Sequence, residues 1–336
     1  MELIRVAASP RAMLNGAAVS PSGRVFSSFP RWTPEPSPSV AEAIDGAFRP
    51  YPGNAWNEWQ PGKDPQQGIV NAHAVHADRF NTLWVIDDAA PRICPPVEGA
   101  AKLVRIDLAT NEVTRVYRFD KTFLPLGCIL GHMRTDGRFA YITESHHDAC
   151  FIVVDLESGR SWKKLVGHPL TAADPKAAAW VQGREFRGRN GEVPQVAVDL
   201  IELSGDGKWL YFSALLGPML RRVPTAALCD EKLSDADVAA QVEDVIAVKP
   251  MAGLARDDRE NFYICSWSED SILRLRPDRT LETLVTDPRI SFPNEGAVGP
   301  DGCFYFPSSQ IHRTARFGDG TSQVQLPYEV FKIRVA

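Results

Sequence analysis

The sequence predicts an all-β fold: a six-bladed β-propeller with four-stranded antiparallel blades and a ring closed by the N- and C-terminal strands. One hairpin phrase recurs six times along the 336 residues, and further alternating strands follow several copies. The two ends of the chain, residues 2–6 and 329–335, both have the pattern of strands that can pair with each other. We therefore expect one domain over residues 1–336.

Each copy of the phrase consists of a short apolar strand, a tight polar turn and an aromatic-rich strand. Asp-Gly and similar pairs supply the positive backbone dihedral angles that a hairpin turn needs. Aromatic and β-branched residues fill the strand after the turn. The residues on which we centre the six turns are Gly23, Asn81, Gly137, Gly207, Glu260 and Gly302.

Outside the repeated hairpins we expect two long loops and one short helix. Segments 30–52 and 171–195 are rich in Pro, Gly and charge, and we expect them to be long loops. Residues 235–242 form the best helix candidate, with Ser234 as its N-cap.

Composition is that of a soluble globular protein, with 44% hydrophobic residues and a formal net charge of −5. No cluster of Lys and Arg occurs, so nucleic acid and anionic membranes are not the expected partners. The first residues lack the pattern of a secretory signal, and no apolar run approaches the ~18 residues of a membrane span. The six cysteines are scattered without a CxxC pair, so we expect reduced thiols in a cytoplasmic protein.

Aligning the six phrases predicts where a site lies. Eight residues before each turn residue, the innermost strand starts beside the propeller axis, so these side chains should line one funnel on the top face. The six residues are Asn15, His73, Ile129, Asp199, Ala252 and Asn294. Four of them are polar, and a buried polar side chain needs a partner or a ligand. Glu295 adds a carboxylate and Phe292 an apolar wall, which together predict a pocket for a small molecule.

Residues that follow the second strands should line the same funnel. We predict ligand-binding roles for Asp87, Glu144, His146, Trp267 and Gln310, in addition to Asn15, Asn294 and Phe292. Trp267 can serve as a stacking platform for a flat or cationic ligand. Its alternative role is packing between blades.

The funnel residues leave several chemistries open. His73 with Asp199 or Glu295 can move protons in a tautomerisation, because burial raises the pKa of a carboxylate towards neutrality. Asn15, Asp199, Asn294 and Glu295 offer oxygen ligands for Ca²⁺, and inclusion of His73 would favour Zn²⁺. The strand start at Ala252 offers no ligand, which disfavours a lactonase-type metal set but leaves Ca²⁺ or Zn²⁺ as an alternative. No Gly-rich phosphate loop occurs, so we expect no nucleotide cofactor.

Several phrases resemble those of the yellow/major royal jelly protein family. They include YPGNAWNEW at residues 51–59, LWVID at 83–87, SSQIHR at 308–313 and PYEVFKI at 327–333. The resemblance implies a six-bladed propeller with a small-molecule pocket; insect members include dopachrome-converting tautomerases and binders of biogenic amines or sterols. Because this chain lacks a secretion signal, it looks like an intracellular, microbial branch. A more distant similarity is to gluconolactonase-type propellers with a central divalent metal.

We thus expect an enzyme that catalyses proton transfer, such as tautomerisation, isomerisation or cyclisation, on a small cyclic or aromatic metabolite. His73, Asp199 and Glu295 are the predicted catalytic residues. The alternatives are a metal-dependent lactone hydrolase and a non-catalytic binder of an amine or another small ligand.

Overall fold

Antiparallel β-strands make up nearly all the regular structure, as the repeated hairpin phrase predicts. The computed structural model describes residues 1–92 and 95–336. The chain divides into two units. Unit 1 comprises Met1–Leu130, Glu295–Ser309 and Gln325–Ala336, and unit 2 comprises Gly131–Asn294 and Gln310–Val324.

Unit 1 begins with nine strands. They are β1 (Ile4–Ser9), β2 (Ala17–Val19), β3 (Val25–Ser28), β4 (Val40–Ile44), β5 (Ala47–Pro50), β6 (Ala72–Ala77), β7 (Thr82–Asp87), β8 (Lys102–Asp107) and β9 (Glu112–Arg118). Strands β6 to β9 form a four-stranded antiparallel sheet in chain order. Two short 3₁₀ turns, Ala55–Asn57 and Pro65–Gln67, precede this sheet.

Unit 2 supplies the next fourteen strands, the first of which starts one residue before the unit boundary. They are β10 (Leu130–Thr135), β11 (Phe139–Glu144), β12 (Cys150–Asp155), β13 (Ser161–Lys164), β14 (Trp180–Val181), β15 (Arg184–Glu185), β16 (Val198–Leu203), β17 (Trp209–Ala214), β18 (Met219–Pro224), β19 (Glu243–Ala247), β20 (Gly253–Arg256), β21 (Phe262–Ser266), β22 (Ser271–Leu275) and β23 (Leu281–Thr286). They form three four-stranded sheets, β10 to β13, β16 to β19 and β20 to β23, and the β14–β15 hairpin. Two short helices, α1 (Thr225–Cys229) and α2 (Asp235–Ala239), and a 3₁₀ turn at Ile311–Arg313 complete the unit.

The last three strands return to unit 1. They are β24 (Ala297–Val298), β25 (Cys303–Ser308) and β26 (Tyr328–Arg334). With the first five strands they make an eight-stranded sheet in the order β2-β3-β4-β5-β1-β26-β25-β24. The predicted pairing of the chain ends is confirmed, because β1 runs antiparallel to β26 with Ile4 opposite Lys332 and Ser9 opposite Tyr328.

The six predicted hairpins are all present. Each pairs the strand before the predicted turn with the strand after it. All six turn residues have positive φ: Gly23 86°, Asn81 61°, Gly137 98°, Gly207 71°, Glu260 62° and Gly302 70°. The left-handed backbone that favours glycine therefore occurs where the sequence pattern places it.

The two segments predicted as long loops each contain short strands. Segment 30–52 holds β4 and β5, and segment 171–195 holds the β14–β15 hairpin. Both contain strands too short to stand out among their Pro, Gly and charged residues. Helix α2 begins where predicted, with the Ser234 hydroxyl accepting a hydrogen bond from the Asp237 amide, but it ends at Ala239 instead of continuing to residue 242.

Apolar side chains from neighbouring sheets pack together within each unit. In unit 2, Phe151 of β12 meets Phe212 of β17 edge-on, with ring centroids 5.0 Å apart. A fully buried side chain of this size stabilises the fold by about 2 kcal/mol. The cysteines at positions 128, 150, 229, 265 and 303 are free thiols, whereas Cys94 lies outside the described residues. No helix in the described ranges is long and apolar enough to cross a membrane.

Candidate functional site

His73 of unit 1 occupies a β-bulge at the start of β6. Ala72 pairs with Asp87 and Ala74 with Ile86, so His73 is the extra residue in the register. A bulge breaks the alternation of a strand and redirects the side chain it carries, which is why bulges are common beside active sites. The residue is 8% exposed.

A buried carboxylate orients the His73 ring. Nδ1 of His73 lies 3.1 Å from Oδ2 of Asp88, and Oδ1 of Asp88 accepts hydrogen bonds from the Asn71 side-chain amide at 2.8 Å and the Ala90 backbone at 3.0 Å. Asp88 is thus an acceptor on both oxygens, and His73 donates to it from Nδ1. In the neutral ring the lone pair is then carried by Nε2. A histidine held in this way has the geometry of a general base.

Two other predicted residues of unit 1 lie beside the His73 strand. The Asn15 side chain donates to the His73 carbonyl oxygen at 3.0 Å, and the Ser28 hydroxyl donates to the same oxygen at 3.1 Å. Glu295 is 1% exposed, and a Cβ at Gly16 would lie 3.3 Å from its Oε2. Asn15 thus contacts the backbone of His73, and the Glu295 side chain lies beside Gly16, the residue after Asn15.

Asp87, predicted to bind ligand, is instead a structural residue. Its Oδ2 lies 2.7 Å from Nζ of Lys102, and both side chains are fully buried. Its oxygens also accept hydrogen bonds from the backbone amides of Val70 and Asn71. Burial raises the pKa of Asp87, and the charge of Lys102 opposes this shift. Because the Asp87 oxygens already bind Lys102 and these backbone amides, it is the neighbouring Asp88 that binds His73.

In unit 2, Asp199 also occupies a bulge. Val198 pairs with Ala214 and Leu200 with Ser213, which leaves Asp199 as the extra residue of β16. Its Oδ1 is buried and has no hydrogen-bond partner within the described residues. Gly131 makes room for this carboxylate, because a Cβ there would lie only 2.4 Å from Oδ1.

The sequence reasoning missed His132, which is buried in the same part of unit 2. A ring nitrogen of His132 lies within 4.8 Å of a carboxylate oxygen of Asp199. The count from the turn residue reaches Ile129 in this repeat and so passes over the histidine. The available signal was the glycine before it, since a glycine at a strand start indicates close approach of another group.

Glu144 and His146, predicted to bind ligand, shape a turn after β11. Glu144 is fully buried, and its two oxygens accept hydrogen bonds from four successive backbone amides, those of residues 146–149. Nδ1 of the His146 ring lies 3.2 Å from the Ser145 hydroxyl. The Glu144 carboxylate thus organises the loop, which favours a structural role for it.

Trp267 and Phe292 form the centre of an aromatic cluster in unit 2. Their rings stack at a centroid distance of 4.7 Å, and Phe186 meets Trp267 edge-on at 5.0 Å. Trp267 is 0% exposed and Phe292 is 1% exposed. The prediction of Trp267 as an open stacking platform is therefore wrong, because neither ring face is accessible, and its alternative role in packing is the one observed.

His312 extends the aromatic cluster. Its ring stacks on Phe292 at 5.8 Å, and its Nε2 lies 3.2 Å from Oε1 of Gln182. Arg313 donates to the same oxygen at 2.8 Å, which identifies that atom as an acceptor and Nε2 of His312 as a donor. Burial, followed by the charge of Arg313, lowers the pKa of His312 to about 3. This histidine is neutral at physiological pH.

The remaining predicted residues lie near the boundaries of the units. Gln310 is buried with φ of 50°, and its Oε1 accepts a hydrogen bond from Arg313 at 3.2 Å. Asn294 is 6% exposed at the end of a unit 2 segment. Of the four oxygen ligands predicted for a cation, Asn15 and Glu295 belong to unit 1, and Asp199 and Asn294 belong to unit 2.

A family model described as "Major royal jelly protein" matches residues 70–290. The chain belongs to the major royal jelly protein family. The predicted family resemblance is thus confirmed, and the matched range of this family member contains His73, Asp88, Asp199 and Trp267. No curated protein matches the sequence significantly.

Solved structures similar to this royal jelly family member include two enzymes and a β-propeller domain. A streptogramin B lyase has a TM-score of 0.57 at 12% identity, covering 98% of this chain and 96% of that one. A luciferin-regenerating enzyme has a TM-score of 0.58 at 9% identity, with coverages of 99% and 95%. The β-propeller domain of Cps50 (Swd1) from Myceliophteria thermophila has a TM-score of 0.51 at 9% identity, covering 99% of this chain and 100% of that one. At these identities the likeness concerns the fold alone, and it confirms an all-β propeller.

Proposed function

We propose that this protein is an enzyme that transfers protons on a small cyclic or aromatic metabolite, with His73 as the group that takes up and returns the proton. The observation that carries the proposal is the orientation of His73: it stands in a bulge, and Asp88 binds its Nδ1 at 3.1 Å. Membership of a family with dopachrome-converting members supports the same class of reaction.

The proposed step uses the lone pair on Nε2 of His73. A C–H bond next to a substrate carbonyl breaks, its proton forms an N–H bond at Nε2, and the electron pair moves onto the carbonyl oxygen as an enolate. The Asp88 carboxylate stabilises the imidazolium so formed. Return of the proton to a different atom completes the tautomerisation. General base catalysis of this kind contributes about 10²-fold to 10⁴-fold to a rate.

The proposal extends to the architecture and to the location of the protein. Strands β2 to β5, and β24 to β26 with β1, each have the strand order of one blade, and the parallel pair Ala8–Ala47 joins the two sets. Counting them as two blades gives six blades in one domain over residues 1–336. We also propose a cytoplasmic protein whose partner is a small molecule, not nucleic acid or membrane, and whose reaction needs no cofactor. The catalytic roles of Asp199 and Glu295 stay predictions.

Deuterium uptake tests the proposed chemistry without knowledge of the natural substrate. The protein is incubated in D₂O with phenylpyruvate and with dopachrome, and mass spectrometry follows the deuterium that enters carbon positions. We expect uptake above the buffer rate for at least one compound and a loss of about 10²-fold in H73N. H76N is the matched control, since His76 lies on the same strand and is only partly buried. Absence of uptake with the wild type, or full uptake with H73N, would refute the proposal.

Metal-assisted lactone hydrolysis is the second candidate. The observation that favours it is the proximity of a His132 nitrogen and an Asp199 oxygen within 4.8 Å, because this ligand pair suits Zn²⁺ or another transition metal. The measurement is elemental analysis of the purified protein together with hydrolysis of glucono-δ-lactone before and after EDTA. A stoichiometric metal and EDTA-sensitive hydrolysis would favour this candidate over proton transfer. Binding of an amine without turnover would instead favour the non-catalytic alternative.

A further inference from the structure

Trp32 and Arg92, which the sequence did not single out, lie near His73 in unit 1: Trp32 contacts His73, and Arg92 contacts Trp32. The indole ring of Trp32 meets the His73 imidazole edge-on, with centroids 5.1 Å apart and an angle of 76°. The guanidinium carbon of Arg92 lies 5.5 Å from the centroid of the Trp32 ring. An arginine, a tryptophan and the proposed base thus follow one another in contact.

Arg92 is a cation in an unusual setting. Its residue is exposed to solvent, yet the surrounding protein desolvates the guanidinium and lowers its pKa, while the charge of Asp88 opposes this shift. Within the described residues its side chain makes no hydrogen bond and no ion pair. A partly desolvated cation gains when an anion binds to it.

The segment that carries Trp32 is held in place by its neighbour Arg31. The Arg31 amide donates to Oδ1 of Asn71 at 2.6 Å, and its guanidinium donates to the carbonyl oxygens of Val70 and Trp59, each at 3.0 Å. The Arg92 amide in turn donates to the Arg31 carbonyl at 3.0 Å. The same Asn71 also binds Asp88, so Trp32, Arg92 and His73 are positioned by one hydrogen-bond network.

Trp32 contributes an unused donor. Its indole Nε1 is buried and has no hydrogen-bond partner among the residues that the structure describes. A buried N–H without an acceptor costs free energy, so such a group is a marker for a missing partner. An oxygen of a ligand bound at Arg92 is a partner of the right chemistry for this donor.

We propose that Arg92 and Trp32 form a subsite for the carboxylate of a planar ligand whose remaining part reaches His73. A guanidinium binds a carboxylate through two parallel hydrogen bonds, and the Trp32 ring offers an aromatic surface beside it. The subsite selects carboxylates over amines, because Arg92 would repel an ammonium group. This deepens the proposed function by naming its substrate class, and it rests on that function only for the role of His73.

Calorimetric titration with benzoate and with its neutral analogue benzamide tests the subsite. We expect the wild type to bind benzoate at least tenfold more tightly than benzamide, and R92Q to lose about tenfold to 100-fold in benzoate affinity, as for a charge-assisted hydrogen bond. R79Q is the matched control, because Arg79 also stacks on an aromatic ring of unit 1, with its guanidinium 4.9 Å from the ring centroid of exposed Phe80. Circular dichroism and melting temperature establish that each variant is folded.

The outcomes separate this subsite from the proposed reaction. No benzoate binding by the wild type at millimolar concentration, equal binding of benzamide, or unchanged affinity in R92Q would each overturn the subsite. Benzoate binding that depends on Arg92, in a protein that exchanges no deuterium, would support the subsite and refute the proton-transfer function. Should R92Q not fold, R92K replaces it: it keeps the charge without the paired donors, and we expect a several-fold loss of benzoate affinity.

Discussion

Unit 1 and unit 2 each hold a histidine beside an aromatic ring, but the two histidines differ in their hydrogen-bond partners. His73 contacts Trp32 edge-on and donates from Nδ1 to the Asp88 carboxylate. His312 stacks on Phe292 and donates from Nε2 to the neutral amide oxygen of Gln182. The first partner stabilises an imidazolium and the second does not. The contact partner of the ring, more than its burial, therefore distinguishes a histidine suited to proton transfer from one that packs.

The largest expected effect concerns the aromatic cluster around His312. If Trp267 is a core residue, W267A removes a fully buried indole and should lower the free energy of unfolding by about 4 kcal/mol. Urea denaturation measures this loss. W180A is the matched control, since Trp180 of the same unit is 60% exposed and should change stability by less than about 0.5 kcal/mol. A loss below about 1 kcal/mol in W267A would mean that the ring contributes little to packing.

A smaller effect should appear in the dependence of stability on pH, through His312. The pKa of His312 is about 3 in the folded protein and near the ordinary value of about 6.5 in the unfolded chain. Between these values the unfolded chain binds a proton that the folded chain does not, so stability falls as pH drops below about 6.5. We expect H312Q to lose about 3 kcal/mol less than the wild type between pH 7 and pH 4, because a pKa of about 3 leaves the folded-state histidine neutral over this range.

Urea denaturation at the two pH values checks this prediction. H147Q is the control, because the His147 side chain is 54% exposed. Equal acid sensitivity of H312Q and the wild type would contradict a His312 that stays neutral in the folded protein. That result would also remove the contrast with His73.

The sequence predicted the hairpins well because their signals are local. A glycine or an asparagine marks five of the six turns and Glu260 marks the other, and all six residues have positive φ. Strands β4 and β5 were missed because nothing local separates short strands from a polar loop. The pairing of β1 with β26 was predictable only because a closed sheet architecture requires it.

The candidate site was predictable in part. Counting from the turns finds His73 and Asp199, and both stand in bulges that no sequence pattern marks. The choice between the adjacent Asp87 and Asp88 depends on Lys102, a partner from another strand that takes the first carboxylate. Arg92 and Trp32 were missed because their roles come from desolvation and from an unused donor, which are properties of the folded chain.

The tautomer of His73 is the most direct test of the account. Ring ¹⁵N chemical shifts, assigned by comparison with the spectra of H73N and H312Q, report which nitrogen carries the proton in each histidine. We predict protonated Nδ1 and unprotonated Nε2 for neutral His73, the opposite arrangement for His312, and a change at His73 in D88N. A proton on Nε2 of neutral His73 would contradict the account, because the nitrogen proposed to accept the substrate proton would already hold one.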